Sequence, residues 1–479
     1  MKIPNSPVPT DPHEAQRWEH TRLRRRLLEG NWTGDLQERY ERHMGTIRAQ
    51  AHGELDLSSN PFRVINRELS VLYNHPPIIR HDMESIDHVA DFLGRRLKQS
   101  GLWAQMGWFQ SRVLGCREYL MRVNVEGGAL QFRPVSPDYV HATSQPDRPA
   151  MPDSIQELRL RNLRGEAVWC WDVLDIRDSE NPIYKVYTAI QKGFGEDVTV
   201  EILGEEFSGA AYPYRRKDGR PILPYVLYHA QHSGDRLWDP YDGMEAVEGS
   251  LNLAVAWSFW FHCLRDASWP QRYAANLVPA GSNTSGGSES RRFEVVTDPS
   301  SLLILESGAD SAADTGQPMV GQWSQAADIK KMQEAISEFS ARLAEDAGIS
   351  GASLQRSGGT AKSGYAISLS NEGKREAQRK YQGQFSEADS RLIMVAAILL
   401  NGSTGSNLPE GGYSLLYQQI PLSPQELKER RANVLELVES GLLSRVDAYR
   451  ELNPGITESQ AKKDLEKIDI GRRLSLLSQ

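Results

Sequence analysis

The apolar residues of this chain change period along its length, and the change divides it. Residues 14–52 are highly charged with helical spacing, and they carry a basic run, Arg22, Arg24, Arg25 and Arg26. That run reads as a solvated helix face in preference to a nucleic-acid patch. Asn60-Pro61 is a favourable N-cap and first-turn pair, opening a helix through Phe62, Ile65, Leu69 and Leu72. Helices are expected at 84–99 and 103–117. The period then drops to two. Segments 119–125 and 129–135 flank Glu126-Gly127-Gly128, a hairpin signal, and further strands are expected at 154–161, 167–173, 183–190, 197–202 and 224–229.

Helical spacing returns near Asp239-Pro240 or Asp242 and runs to about Arg265. The stretch Ala254 to Phe261 is apolar on more than one face and demands burial on several sides. Residues 266–322 interrupt the helices with a Gly/Ser run and a strand-like Leu302-Leu303-Ile304-Leu305. Trp323, Ala326, Ile329, Met332, Ile336, Phe339 and Leu343 then form one apolar stripe, ended by Gly348. Beyond a Gly/Ser-rich loop with no acid and two cations, Arg356 and Lys362, a second seam runs through Ala377, Tyr381, Phe385, Ala388, Leu392, Val395 and Leu399. Three more helices close the chain, opened by Ser423-Pro424, by Ser444 with Asp447, and by Glu458 after the break at Asn453-Pro454-Gly455.

At 479 residues the chain has room for several domains, and its 39% apolar and 25% charged content is ordinary for a soluble protein. The net charge of −8 excludes a basic coat that holds nucleic acid by bulk attraction. Cys116, Cys170 and Cys263 offer no disulfide framework and no zinc spacing, which suggests a reducing compartment. No secretory signal is visible, and the longest apolar stretch, 251–261, is too short to span a bilayer.

Chemistry-bearing motifs are few. The stretch 357–363 (SGGTAKS) imitates a phosphate-binding loop, but Ala361 precedes Lys362, Arg356 stands where the first glycine belongs, and a helix precedes it where a strand should. His229 and His232 with Asp235 lack a general base and a clear third ligand, so a surface or structural role is expected in preference to zinc. Asp172, Asp175 and Asp178 read as a solvated strand edge. There is no nucleophile elbow and no dinucleotide fingerprint. No enzyme activity, cofactor or metal is expected, although an active site assembled from distant residues would leave no such mark.

The order of elements resembles the portal proteins of tailed bacteriophages. The resemblance is carried by Gly351-Ala352-Ser353-Leu354 to Lys362-Ser363-Gly364, then Tyr365-Ala366-Ile367-Ser368-Leu369 and the long helix from about Asn371. Gly115 to Leu120 at the helix–strand join, Val135-Ser136-Pro137, Pro221-Ile222-Leu223-Pro224 and the tail ESGLLSRVDAYRELNP add to it. The resemblance implies an α+β, predominantly helical ring protomer. Its parts would be a charged helical N-terminal segment (1–55), a wing (56–235), a stem helix (236–265), a clip (266–322), a second stem helix (323–347), a tunnel loop (348–364), a backbone helix (365–401), and a wing return with a helical crown (402–479).

The family further implies a homo-oligomeric ring, usually of twelve copies, at one capsid vertex of the virion, assembled in the host cytoplasm. Double-stranded DNA would pass non-specifically through its channel. Its partners would be the terminase large subunit, a head–tail adaptor, the major capsid protein and a scaffold, with no membrane involved. Gln355, Arg356, Thr360 and Lys362 would then lie on the DNA channel, the two cations meeting phosphates as point charges that read no sequence. An acidic balance suits such a channel, because each phosphate contact adds affinity and would slow DNA. Two other readings stay open: a different multimeric virion or tail structural protein, and a multidomain enzyme of unrecognised chemistry.

Overall fold

The computed structural model describes residues 11–46, 55–82, 87–149, 151–190, 193–204, 214–233, 236–238, 243–268, 271–275, 302–305, 319–323, 328–349, 364–420, 424–453 and 458–477. It is a mixed α+β fold in which helix predominates. The chain divides into two units, Met1–Arg356 with Tyr381–Tyr417, and Ser357–Lys380 with Gln418–Gln479.

The first unit opens with helices α1 (Pro12–Glu29), α2 (Thr33–Met44) and α3 (Pro61–Leu69). Local chemistry starts two of them: Asp11 accepts from His13 N, and Asn60 accepts from Arg63 N, each with proline in the first turn. Strand β1 (Ile78–His81) and helices α4 (Asp87–Gln99) and α5 (Leu102–Cys116) follow. The hairpin of β2 (Glu118–Glu126) and β3 (Ala129–Val135) turns at Gly127-Gly128 as its sequence requires. Next come β4 (Val140–Ser144), β5 (Pro152–Leu163), β6 (Glu166–Asp175), β7 (Ile183–Ile190) and β8 (Gly193–Asp197), paired in chain order as an antiparallel sheet. Strand β9 (Tyr225–His229) returns to β2, so the second sheet reads β3-β2-β9.

Residues 197–202, expected as a strand, end β8 and enter a short helix, α6 (Thr199–Leu203). Asp197 accepts hydrogen bonds from the backbone and hydroxyl of Thr199, and Thr199 Oγ1 accepts from Val186 N. These contacts turn the chain where apolar alternation alone would have continued it.

The core lies between the two sheets, with Leu120, Val135, Ile155, Cys170, Leu174 and Leu227 buried together. On the far face of the five-stranded sheet, Trp18 of α1 packs with Leu158 and Trp171. The basic run of α1 is not a solvated face. Arg24 is buried, Arg25 donates to Asp138 Oδ2 at 2.9 Å, and Arg26 grips Asp35 through Nε and Nη2 at 2.8 and 2.7 Å.

Strand period also overturns the solvated reading of Asp172. On β6 it alternates with Cys170 and Leu174, so it points into the core, and it is fully buried. Arg122 Nη1 donates to Asp172 Oδ2 at 2.8 Å and to Glu157 Oε2 at 3.0 Å, and its Nη2 donates to Tyr184 Oη at 3.0 Å. Arg161 reaches Asp172, Arg133 reaches Glu157, and Tyr225 Oη donates to Glu157 at 2.8 Å. Burial pushes both carboxyls up. The arginines more than reverse this, Arg122 first, and hold Asp172 and Glu157 below the ordinary carboxylate range. Asp175 pairs with the exposed Arg177 but is itself largely buried, whereas Asp178 caps its own turn at Glu180 N and Asn181 N and alone matches the solvated role expected.

The second unit holds helices α10 (Pro424–Glu439), α11 (Arg445–Leu452) and α12 (Glu458–Leu477). Ser444 caps α11 by accepting from Asp447 N, and Val434, Ala448 and Ala461 are buried. Gln378 donates to Gln418 O at 2.7 Å and accepts from Ile420 N at 3.2 Å, fixing the chain before α10.

Removing Arg122 takes the largest compensating charge from two buried carboxylates, leaving Arg161 on Asp172 and Arg133 with Tyr225 on Glu157. Arg122→Met should therefore cost about 3–5 kcal/mol, read as a lower urea midpoint. Arg122→Lys should recover only part of the loss, because a point donor cannot serve both acids and Tyr184 in one plane.

Candidate functional site

After β9 the chain enters helix α7 (Glu245–Ser268) and leaves it for strand β10 (Gln271–Ala275). Strands β11 (Leu302–Leu305) and β12 (Met319–Trp323) flank β10, parallel and antiparallel respectively, and helix α8 (Ile329–Asp346) follows. A helix pair thus carries a three-stranded sheet between its members.

The helices approach closely because Gly249 has no side chain: a Cβ there would lie 2.8 Å from Leu343 Cδ1. Trp260 Nε1 donates to Ile329 O at 3.2 Å. Other sides of α7 are covered from the N-terminal helices. Phe62 N donates to Ser250 Oγ and Asp56 N to Ser258 Oγ, both at 2.9 Å. Each serine hydroxyl in turn donates one turn back, to Ala246 O and Ala254 O, so both are satisfied where water is excluded. Tyr40 of α2 lies against Phe259 and His262, with ring centroids 5.4 and 6.2 Å away, and Arg39 pairs with Glu248. These contacts bury Ala254, Val255 and Ser258, but Phe261 stays exposed, so the many-sided burial expected of the apolar stretch is only partly met within one chain.

The start of α8 differs from its sequence reading. Trp323 belongs to β12, paired with Gln271, and the helix begins at Ile329. Asp328 decides this by taking the N-cap and accepting from Lys331 N at 3.1 Å. Ala326 lies outside the described residues. Along α8, Ile336, Ser340, Leu343 and Ala344 are buried while Phe339 is exposed. Its solvent side carries alternating charges in local pairs, Lys331 with Asp328, Lys330 with Glu334 and Arg342 with Glu338. The helix ends as the sequence requires. Gly348 takes φ +76°, its N–H bonds Glu345 O, and Ile349 N closes back on Ala344 O.

Gln355, Arg356, Thr360 and Lys362 follow, and all four lie outside the described residues, as does the 357–363 stretch. Asp235, the third member of the histidine grouping, lies outside them too. His229 ends β9 opposite Glu118. Among the described residues no cluster of His, Cys, Asp and Glu is disposed to hold a metal, and no helix is long and apolar enough to cross a membrane.

Helix α9 (Gly364–Thr404) is the longest element, and its seam residues Ala377, Phe385, Ala388, Leu392, Val395 and Leu399 are buried as their spacing indicates. The seam holds one residue that the apolar reading passed over. Asp389 is fully buried one turn after Phe385 and accepts three phenol hydroxyls: Tyr73 at 2.8 Å and Tyr417 at 2.6 Å on Oδ2, and Tyr228 at 2.7 Å on Oδ1. The phenols come from the segment after α3, from β9, and from the end of strand β13 (Tyr413–Leu416), which pairs with β1. Phe385 packs against Tyr73 and Tyr228, with centroids 6.1 and 5.8 Å away. The sequence did hold a signal: an acid between Phe385 and Leu392 on an apolar stripe has to find donors. Burial pushes the Asp389 carboxyl up to about 6, with the three phenols pulling the other way, so at neutral pH it is mostly ionised.

Comparison with known proteins gives structural neighbours only. No family model matches the chain, and no curated protein matches it. Among solved structures it is similar to a chain from the virion of a native gene transfer agent particle, at 14% identity over 86% of this chain and 94% of that one, with a TM-score of 0.42. A chain from the neck of the empty gene transfer agent particle, computed with C6 symmetry, gives 14% identity, 86% and 95% coverage, and a TM-score of 0.44. A chain from the neck of the native particle, computed with C12 symmetry, gives 14% identity, 86% and 99% coverage, and a TM-score of 0.42.

The raised carboxyl fixes the sign of a pH effect. Asp389 binds its proton more tightly in the fold than in the unfolded chain. Its contribution is therefore complete below about pH 4 and is lost as pH rises through about 6. Asp389→Asn cannot titrate there. Lowering pH from 7 to 4 should stabilise the native sequence relative to Asp389→Asn by up to about 3 kcal/mol, measured as the difference between their urea midpoints. A difference that is flat with pH would show the carboxyl to be unshifted.

Proposed function

We propose that this chain is a protomer of a portal protein, a ring-forming component at one vertex of a tailed-phage or phage-like capsid. The observation that carries the reading is the arm of α7, its three-stranded sheet and α8, followed after the Gly/Ser-rich stretch of the sequence by the long helix α9. That succession corresponds to stem, clip, stem, tunnel loop and backbone helix. Helices leading into paired β-sheets correspond to a wing, and the C-terminal helices to a crown. Large apolar side chains left exposed on the arm, Phe261, Leu264 and Phe339, suit packing against neighbouring copies.

In this reading the ring, of twelve copies as the resemblance implies, surrounds a channel for double-stranded DNA. The clip takes the terminase during packaging and a head–tail adaptor afterwards, while wing and crown meet the major capsid protein and scaffold. The chain itself catalyses nothing, and the energy for movement comes from the docked motor. Arg356 and Lys362 touch phosphates as point charges, with Gln355 and Thr360 beside them.

Light scattering with negative-stain electron microscopy tests the ring. A channelled particle with a mass of many multiples of 53.8 kDa is expected. A chain that stays monomeric or dimeric at high concentration, with a saturable small-molecule ligand, would return the enzyme reading. The loop is tested separately. Arg356→Ala/Lys362→Ala should lower DNA packaging or retention with ring assembly intact, and unchanged packaging would remove the two cations from the mechanism.

A further inference from the structure

A cleft of about 490 Å³ lies in the first unit between the start of β5, the 214–222 turn, β9 and α9. Its floor is apolar, built by Ile222, Leu223, Val226, Met394 and Val395. Four arginines rim it, Arg148, Arg216, Arg220 and Arg391, and Asp153 is the one carboxylate among its described lining residues. Asp153 Oδ1 already accepts from Thr143 Oγ1 at 3.0 Å. A chain with a net charge of −8 here presents a concentrated positive rim.

The arginines are held only by local or long contacts. Arg220 lies 3.7 Å from Asp218, two residues away on an exposed turn, and Arg391 pairs with Glu387 on its own helix. Arg216 meets Met394 Sδ at 3.4 Å and Glu410 O at 3.5 Å, its nearest carboxylate is 3.9 Å away, and its buried Nε has no hydrogen-bond acceptor. Arg148 stands exposed at the rim. The exposed Arg220–Asp218 pair contributes little to stability, so an incoming carboxylate displaces it at small cost, and among the described residues Arg148 needs no pair displaced.

We propose that this cleft docks an acidic segment of a partner protein, with one apolar side chain seated on the floor and flanking carboxylates on the arginines. The charge complementarity names the occupant's sign, and the floor names its class. A nucleic-acid backbone offers phosphates but nothing for an apolar floor, whereas arginine and methionine over apolar walls are characteristic of protein recognition.

The experiment is a selection of random displayed peptides on the full-length chain, followed by fluorescence anisotropy of an enriched peptide with the native chain and with Arg148→Glu/Arg220→Glu. Both substituted residues are exposed, and thermal melts check that the variant folds. Enriched peptides should place aspartate or glutamate beside an aliphatic or aromatic residue. Charge reversal should weaken binding by about tenfold or more, and added salt should do the same in part. A lack of enrichment, enrichment of peptides without acids, or unchanged affinity in the variant would overturn the proposal. Equal competition by a single-stranded oligonucleotide would overturn it too, by assigning the cleft to phosphates.

Discussion

A carboxylate buried in a helix seam has to be surrounded by donors, and Asp389 draws all three of its phenol hydroxyls from elements other than its own helix. This one requirement brings together the segment after α3, strand β9 and the chain leaving β13. It also fixes the rotation of α9. Sliding the helix by one residue would turn Asp389 by about 100° away from the phenols, whereas its apolar neighbours would still find apolar surroundings. Leu392, Ile393, Val395, Ala396, Ile398 and Leu399 bury nearly the whole circumference beyond it, which favours burial without choosing a register. The polar contact supplies the choice that hydrophobic contact leaves degenerate.

Arg122 plays the corresponding part between the sheets. The apolar residues facing it would tolerate small shifts of β2 over β5 and β6. A guanidinium shared between Glu157, Asp172 and Tyr184 would not, because its donors lie in one plane. The two devices differ in sign and in their response to pH. Asp172 and Glu157 face arginines and are held below the usual carboxylate range, while Asp389 faces only neutral hydroxyls and is raised. The β-rich core therefore keeps its charges across the range in which the α9 joint titrates.

What was legible in the sequence is what local chemistry decides. Asn60 and Ser444 start helices through hydrogen bonds to residues three positions on, and Gly348 ends one with a positive φ, so each motif contains its own explanation. Residues 197–202 were misread despite the local contacts of Thr199 with Asp197, but Asp172 and Trp323 were misread because their partners lie far along the chain. Asp172 looked like a surface acid because Arg122 stands fifty residues earlier on another sheet, as the separation of that hydrogen bond records. Trp323 fitted the apolar stripe of α8, but its backbone is claimed by Gln271 across an antiparallel pair, and Asp328 was the cap that marked the true start. Asp389 needed only the recognition that an acid on an apolar stripe is a demand for donors. Which donors would answer, no spacing rule says. The loop carrying Arg356 and Lys362 lies outside the described residues, so that part of the candidate site still rests on sequence.

The arginines of α1 bear on where a polyanion would be held. A run of four in one helix is the most obvious basic feature of this sequence, yet the structure buries Arg24, sets Arg22 and Arg25 on the buried Asp138, and pairs the part-exposed Arg26 with Asp35. The solvent face of α8 is neutralised differently, by acids and bases one turn apart. Neither surface offers unpaired positive charge in bulk. Affinity for a polyanion grows with each phosphate neutralised, so in the proposed channel surfaces built this way would add little drag on DNA. The arrangement of charge, beyond its net value, is thus what the proposed channel would require.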